Sequence, residues 1–533
     1  MIEDITPTTV PLGQYPLSYS SFNPNFGIRL IRDPIHSYIP ITKEEKSELR
    51  VSAEHDILQN EWLQRLRRIK QTQVAYTVFP GLEHSRFAHA LGVMHLAGKM
   101  ARKWYGHVKD LMQPAKIDTT DDALGNETYP VEYVEEIFRL AGLLHDVGHG
   151  PHSHSLDQAY ARYFRDEEIN HEYLSALIID KKFTGVLSKV HRSPNGKFDE
   201  EVDPGMLSWL VRPDYRKYKE PRYVWLGAMR SIISGPYDAD AIDYISRDSH
   251  HAGLPEYGLL DIDRFVENTF FVVDGVNLIQ CLNRNSLPAF EHLLMSRYQM
   301  YETCYYNKDV RAFELKTEEL LVRTLEKKNL PNPKSNPDGF LEMFLGFDEY
   351  TLLGESREWK VSADEKTKRL GDDWEEIALR KHGMTLAYNR DHVAERKGEA
   401  GMLRRHLVDD YKKRLEKSVE EWKTKDDHEL EDIGFSRASI AVIRNNSGAK
   451  LLDEITFDSP YLDLRRGINP EAPLGTESIY IYDSRNPETL DTIRIADRVK
   501  RLPVAFLPLR AYVRKSELKE FVGKALEEVY KML

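Results

Sequence analysis

The stretch His145-Asp146-Val147-Gly148-His149-Gly150-Pro151-His152-Ser153-His154 packs four imidazoles and a carboxylate into ten residues. Imidazole nitrogen and carboxylate oxygen hold hydrolytic transition metals, and neutral histidine is the side chain best placed to move protons near pH 7. The run from Val131 to Val147 has the spacing of an amphipathic helix, which Gly148, Gly150 and Pro151 terminate. The histidines therefore stand at a helix end and in the turn after it, where side chains converge on a cleft. Adjacent His145 and Asp146 lie about 100° apart around a helix, so a cation over the wedge between them meets both. The pattern predicts the floor of a metal-assisted phosphoester-hydrolase site.

Such a site needs ligands from other helices and an open position for water. His89 shares a helix face with Arg86, one turn earlier in Ser85-Arg86-Phe87-Ala88-His89. Asp240 lies in Asp238-Ala239-Asp240-Ala241-Ile242-Asp243-Tyr244, a carboxylate-dense helix start. There Asp238 and Asp243 stand as alternative ligands or as helix caps. Arg86 reads either as a phosphate clamp or as an ion-pair partner, and His152 as a rim residue.

A chain of 533 residues exceeds the size of one ordinary core, so a large domain with an appended part is expected. The net charge of −12 argues against a general nucleic-acid coat, though an acidic protein can hide a basic pocket. Cys281 and Cys304 are the whole cysteine complement, which points to a reducing compartment and leaves no CxxC zinc site. The N-terminus lacks a basic start and an apolar run, so no signal peptide is expected. No stretch reaches the roughly 18–20 apolar residues of a membrane helix. The expectation is a soluble, cytoplasmic protein.

Along the chain, 1–27 reads as a polar arm that orders on contact, and 28–345 as a helical catalytic core with a polar loop at 112–128. The segment 346–435 is dense in Lys, Arg and Glu and reads as solvent-exposed helices. The final part, 436–533, reads as a small α/β lobe. Its strands are expected at Ala438–Ile443, Glu477–Tyr482, Thr492–Ile495 and Leu502–Leu507, with a helix at Lys515–Met532. The fold class is mostly α.

The order H…HD…D in SRFAHALGV (85–93), AGLLHDVGHGPHSHSLD (141–157) and DADAIDYISRDSHHAG (238–253) resembles the HD-domain phosphohydrolases. Within them it is most similar to the deoxynucleoside triphosphate triphosphohydrolase (dNTPase) branch. The likeness runs from IRDPIH at Ile31 to Lys308 and weakly into the C-terminal lobe, without a SAM domain. It implies an HD-domain helical core in which His89, His145, Asp146 and Asp240 hold one divalent transition metal (Fe, Mn, Zn or Ni), with Mg²⁺ accompanying the substrate phosphates. It places His149, His154 and His171 around the phosphate and the leaving oxygen, with Asp157 orienting His154. Arg86, Arg297 and Lys308 fall where relatives hold the triphosphate. Gln71 and Asp248 fall where the sugar 3′-hydroxyl is read. Tyr244 and Tyr305 fall where sugar and phosphates pack, Tyr305 as the wall too tight for a 2′-hydroxyl.

Two departures from the family pattern matter. Ala241 stands where relatives have Lys or Arg, so one phosphate contact is lost. In the allosteric pocket between subunits, Gln59 stands where an acid reads guanine and Arg32 where relatives have Asn, while Gln64 and Arg67 match. The resemblance implies hydrolysis of a dNTP to deoxynucleoside and inorganic triphosphate, a nucleotide activator, and a homo-oligomer (dimer or tetramer) with no membrane partner. The rivals are an HD nucleotidase or phosphodiesterase for another nucleotide, and a nucleotide-sensing or nucleic-acid-binding regulator with a vestigial site.

Overall fold

The computed structural model describes residues 27–43, 53–112, 128–215, 224–274, 277–394, 397–463, 480–482, 490–491 and 505–532. The arm at 1–26, most of the loop expected at 112–128 and the strand expected at 492–495 lie outside the described residues.

The first core is built on two long helices. In α1 (Arg86–Leu111) apolar side chains recur on the face that meets α2 (Val131–Leu144), and α2 is buried on every side from Tyr133 to Leu144. Its buried Arg139 is paired, Nε donating to Glu54 Oε1 at 2.6 Å. The helix ends at Leu144, short of the expected Val147, so His145 sits at its C-cap and Asp146 in the turn that follows. Helices α3 (His154–Phe164) and α4 (His171–Ile178) follow. Helix α5 (Ala239–Ala252) starts at Asp238, whose side chain caps the Ala241 N–H, and stops at Gly253 with φ +77°. Helix α6 (Leu287–Met300) widens into a π turn, Tyr301–Tyr305, before α7 (Lys308–Lys328). Helices α8 (Glu349–Trp359) and α9 (Glu365–Ala378) close this core through Leu352, Leu370, Trp374 and Ile377. The expectation of a mostly helical fold holds.

Two hairpins flank these helices. Strands β1 (Ile28–Asp33) and β2 (Ser37–Thr42) pair antiparallel with Ile31 opposite Ile39, and β3 (Thr269–Asp274) pairs with β4 (Asn277–Asn283).

The charged stretch is divided between two cores. Its first helices pack on the catalytic core. Strand β5 (Thr385–Ala394) and helix α10 (Lys397–Lys423) join a second core that runs to Val529. Helix α10 is charged on one face only. Leu407, Tyr411, Leu415, Val419 and Trp422 recur every three or four residues and are buried, which corrects the expectation of helices projecting into solvent. A second correction concerns Ala438–Ile443. It is not a strand but part of helix α11 (Arg437–Asn445): Ser436 caps the Ser439 N–H, and Ile440 and Ile443, three apart, face the core. Strands β6 (Ile455–Asp458) and β7 (Leu462–Asp463) come next. Strands β8 (Tyr480–Tyr482) and β9 (Leu490–Asp491) instead extend the β3–β4 hairpin, β8 running parallel to β4 with Ile481 opposite Leu282. Fully buried β10 (Ala505–Val513) pairs antiparallel with β5, β6 and β7, and α12 (Lys519–Lys531) covers it.

Candidate metal centre and phosphate site

Four donor side chains from α1, the end of α2 and the first turn of α5 converge. One ligand atom from each of His89, His145 and Asp146 lies within 4.8 Å of the others. Asp240 Oδ1 closes the group, 3.0 Å from His89 Nε2 and 3.8 Å from His145 Nε2. The second nitrogen of each imidazole is engaged behind the ring. His89 Nδ1 donates to Asp243 Oδ2 at 2.8 Å, and His145 Nδ1 to the Gly142 carbonyl at 2.8 Å. Acceptors at both Nδ1 atoms make Nε2 of each ring the position that faces the carboxylates, where a cation can take the place of a proton, and both Nε2 atoms are buried without a hydrogen bond. Two orphaned imidazole nitrogens opposite two carboxylate oxygens are the donor set a divalent transition metal takes.

The local field favours a cation there. Burial opposes charge on His89, but Asp240 and Asp243 outweigh it and raise the imidazole to about 10. Burial likewise resists ionisation of Asp146 and is overcome by His145, Arg86 and His149, which hold the carboxyl well below the usual range. Asp240, with a side chain 40% exposed, is also lowered: His89 and His145 outweigh the partial desolvation of its carboxyl.

Beside this group lies a second cluster. Asp157 Oδ2 accepts from His171 Nδ1 at 2.6 Å and from His154 Nδ1 at 3.2 Å, and Asp157 Oδ1 accepts the His171 backbone N–H at 2.8 Å. His149 stacks on His171 with centroids 3.9 Å apart and planes 11° from parallel, and its Nε2 lies 3.4 Å from Asp146 Oδ1. Ligand atoms of His149, His154, Asp157 and His171 also fall within 4.8 Å of one another. Parallel stacking nevertheless puts the in-plane lone pairs of His149 and His171 in separate planes, so one ion cannot meet both. Burial, with Arg86 and His171 nearby, drives His149 well below its ordinary value, whereas Asp157 overcomes burial and raises His171. The two stacked imidazoles are thus shifted in opposite directions, which favours the neutral form of His149 and the cationic form of His171. The His154 side chain is 54% exposed.

The turn that carries these groups is strained and pinned. His152 and Ser153 adopt φ of 58° and 51°, a conformation worth about 1–3 kcal/mol in non-glycine residues. A Cβ at Gly148 would stand 2.2 Å from the His171 carbonyl and 2.3 Å from the Ser175 nitrogen, so only glycine lets this loop approach α4. His152 is not at the rim as expected. It is buried, stacks on Trp374 at 5.4 Å, and falls to about 4 through burial. Glu349, at the first position of α8, accepts the backbone N–H groups of Lys70 (3.0 Å) and His152 (3.2 Å). Burial pushes its carboxyl up from 4.5 to about 7 against those two donors. A raised acid contributes stability that is complete below 4.5 and lost as the pH climbs through 7. Glu349→Gln keeps an acceptor and removes that loss, so its melting temperature is expected to fall less between pH 5 and 8 than that of the parent. A difference of about 2 °C or more at pH 8, read by calorimetry, is the expected size.

The residues expected around the substrate fall into connected groups. Arg86 is buried, with Nη1 paired to Asp146 Oδ2, Nε donating to Ser153 Oγ (2.8 Å) and Nη2 to the Gln71 carbonyl (3.2 Å). It thus lies at the metal group in the ion-pair arrangement. The buried Oε1 of Gln71 has no partner. Asp240, Tyr244 and Asp248 recur every four residues along one face of α5. Asp248 accepts from His84 Nε2 (2.8 Å) and from the Tyr305 hydroxyl (2.6 Å), and Tyr305 meets Tyr244 edge-on at 6.4 Å. Arg297 lies 5.8 Å over Tyr301 with a buried, unpartnered Nε. Lys308 has an exposed side chain. The backbone around it is held from β10: Arg510 Nη2 donates to the Tyr306 carbonyl and the Tyr512 hydroxyl to that of Lys308.

Of the residues expected in an effector pocket, Gln64 Oε1 accepts from Arg67 Nε at 2.8 Å and Arg67 lies 3.7 Å over the Phe87 ring. Arg32 and Gln59 are exposed. Sequence reasoning gave no role to His84, Glu349, Asp33, His36 or Arg247, and left Asp243 between ligand and cap; Asp238 is the cap and Asp243 stands behind His89.

The HD domain family model matches residues 86–205, which include three of the four converging residues. An uncharacterised protein of Methanocaldococcus jannaschii is 30% identical over 306 residues, 57% of this chain and 51% of that protein. The deoxynucleoside triphosphate triphosphohydrolase SAMHD1 of Homo sapiens is 30% identical over 291 residues, 53% of this chain and 42% of that protein. This chain thus spans about half the length of these curated relatives. The fold resembles a hypothetical protein from Aquifex aeolicus, with a TM-score of 0.58 and 21% identity over 94% of this chain and 100% of that one. No helix among the described residues is long and apolar enough to cross a membrane.

Proposed function

We propose, for a chain that belongs to the HD-domain phosphohydrolase superfamily, that its reaction is hydrolysis of deoxynucleoside triphosphates to deoxynucleoside and inorganic triphosphate. The observation that carries this reading is one helix face. Along α5, Asp240 joins the metal group, Tyr244 follows one turn on, and Asp248, about 12 Å along the axis, is hydrogen-bonded to Tyr305. Phosphates at the first position and a sugar edge at the last use the whole ladder.

In this reading His89, His145, Asp146 and Asp240 hold the cation. A divalent ion held by these residues would supply Lewis-acid activation of water and of a phosphoryl oxygen. The chain's own groups supply the rest. His171, kept protonated by Asp157, lends positive charge to the phosphate. His154, held by the same carboxylate at the open side, delivers the proton to the departing 5′-oxygen as the bond to the α-phosphorus breaks. Neutral His149 orients the incoming water through a free ring nitrogen. Arg86, Arg297 and Lys308 meet the triphosphate, with Mg²⁺ on its outer oxygens. Gln71 Oε1 and Asp248 take the 3′-hydroxyl, and Tyr305 bars a 2′-hydroxyl. An effector nucleotide at Arg32, Gln59, Gln64 and Arg67, between subunits of a homo-oligomer, is part of the same proposal.

A second reading, an HD nucleotidase or phosphodiesterase for another nucleotide, is favoured by Ala241 and by the engagement of Arg86 with Asp146. Products separate the two. Protein stripped of metal and resupplied with Mn²⁺ or Fe²⁺ is incubated with each dNTP singly and then with the mixture. Inorganic tripolyphosphate in the chromatogram is the expected product, and orthophosphate or pyrophosphate supports the second reading. Turnover in the mixture alone marks one nucleotide as activator.

A further inference from the structure

Behind His89 lies a buried charge network that reaches the β1–β2 turn. Asp243 is fully buried, and both of its oxygens are saturated. Oδ2 accepts from His89 Nδ1 (2.8 Å) and Arg247 Nε (2.9 Å), and Oδ1 accepts from His36 Nε2 (2.6 Å) and Arg247 Nη2 (2.9 Å). Arg247 continues to Asp33, Nη1 reaching Oδ2 at 2.8 Å. Asp33 Oδ1 in turn accepts the backbone N–H groups of Ile35 and His36, both at 2.9 Å, and so shapes the turn that presents His36. The cavity that holds this network is made by Gly92 on α1, where a Cβ would stand 1.9 Å from Asp243 Oδ1 and 2.5 Å from Arg247 Nη2.

A carboxylate behind a metal-ligating imidazole fixes its tautomer and ring direction. Here that carboxylate has no freedom of its own, because three donors besides His89 hold it. One of them, His36, belongs to a hairpin more than 50 residues away in sequence. Truncating any member leaves a buried charge without its partner, so the network seats as a unit.

We propose that Asp243 is the positioning residue of the metal centre, and that the Asp33–His36 turn is built into that centre through it, so that cation binding and the seating of the β1–β2 hairpin stabilise each other. The proposal rests on the metal-centre reading above. It goes beyond that reading by making the hairpin, which carries Arg32 of the proposed effector pocket, an energetic neighbour of the cation.

Metal binding, measured without substrate, tests it. Titration of metal-free full-length protein with Mn²⁺ in a calorimeter is expected to show Asp243→Asn weakened about 10–100-fold. His36→Gln, which leaves the Asp243–His89 contact in place, is expected to weaken binding about threefold or more. A third measurement needs no variant. Hydrogen exchange of Ile28–Thr42 is expected to slow when Mn²⁺ is added to the parent, while Ala505–Val513 is unchanged. Unaltered affinity in folded Asp243→Asn, or hairpin exchange indifferent to Mn²⁺ that the parent demonstrably binds, overturns the proposal. If Asp243→Asn does not fold, His36→Gln and the exchange experiment decide. A parent that binds no Mn²⁺ gives a different result: the metal-centre reading itself falls, and the proposal with it.

Discussion

Alanine at His145 is expected to abolish retention of the cation and to lower phosphohydrolase turnover by about 10³-fold or more. The magnitude follows from several kcal/mol of charge stabilisation at 1.36 kcal/mol per decade. His145 is the cleanest of the four residues to remove. Its ring makes one backbone hydrogen bond, to Gly142 at the end of α2, and keeps Nε2 free for a ligand. Asp146 is a poorer probe. Its loss would leave Arg86 buried without its counter-charge, a defect of about 3–5 kcal/mol that would confuse lost binding with lost fold. Metal content per chain by elemental analysis, read beside circular dichroism of the same sample, checks the outcome. A folded His145→Ala that retains one ion per chain, or hydrolyses at the parental rate, refutes the metal centre.

Asp157→Asn tests the proton-handling half of the site and is expected to behave differently. Asp157 meets none of the four proposed ligands and holds His154 and His171 together. Mn²⁺ affinity should therefore survive, while kcat falls about 10²–10⁴-fold. The pH profile carries the sharper signature. Burial lowers His171 and Asp157 overcomes it, so in the parent the cationic ring persists above its ordinary value of 6.5. Without that carboxylate, burial is opposed only by the weaker pull of Asp146 and Glu172, and the proton leaves at lower pH. A reaction that needs His171 protonated then loses its rate earlier, so the descending limb of the kcat profile moves toward acid. A limb that stays in place with kcat merely scaled down assigns Asp157 a structural role only.

These two variants divide the site along a line invisible in the sequence run 145–157. There five histidines and two carboxylates belong to one cluster of similar chemistry, counting His171 from α4. Three-dimensional packing sorts them. His145 and Asp146 turn toward α1 and α5, where they join His89 and Asp240 in a group able to hold a cation. His149 turns the other way and stacks on His171. His152, of the same residue type and in the same turn, is carried inward onto Trp374 and plays no part in either group.

What the amino-acid sequence by itself determined is local and periodic: the apolar spacing of α1 and α2, the glycines that stop α2 beneath His145, and a donor set rich enough to imply a cation. These depend on residues a few positions apart, and helix geometry alone brings those together. Tertiary structure alone decided the choices made by distant partners. Burial of Ile440 and Ile443 against the second core turned an apolar run into α11 and not a strand, and burial of Ile481 sent β8 to the catalytic core's hairpin. Desolvation split His149 from His171, and a cavity opened by Gly92 set Asp243 behind His89 with Arg247, Asp33 and His36. A charge removed from water is tolerable only beside a particular partner, and which partner is near is a property of the packed chain.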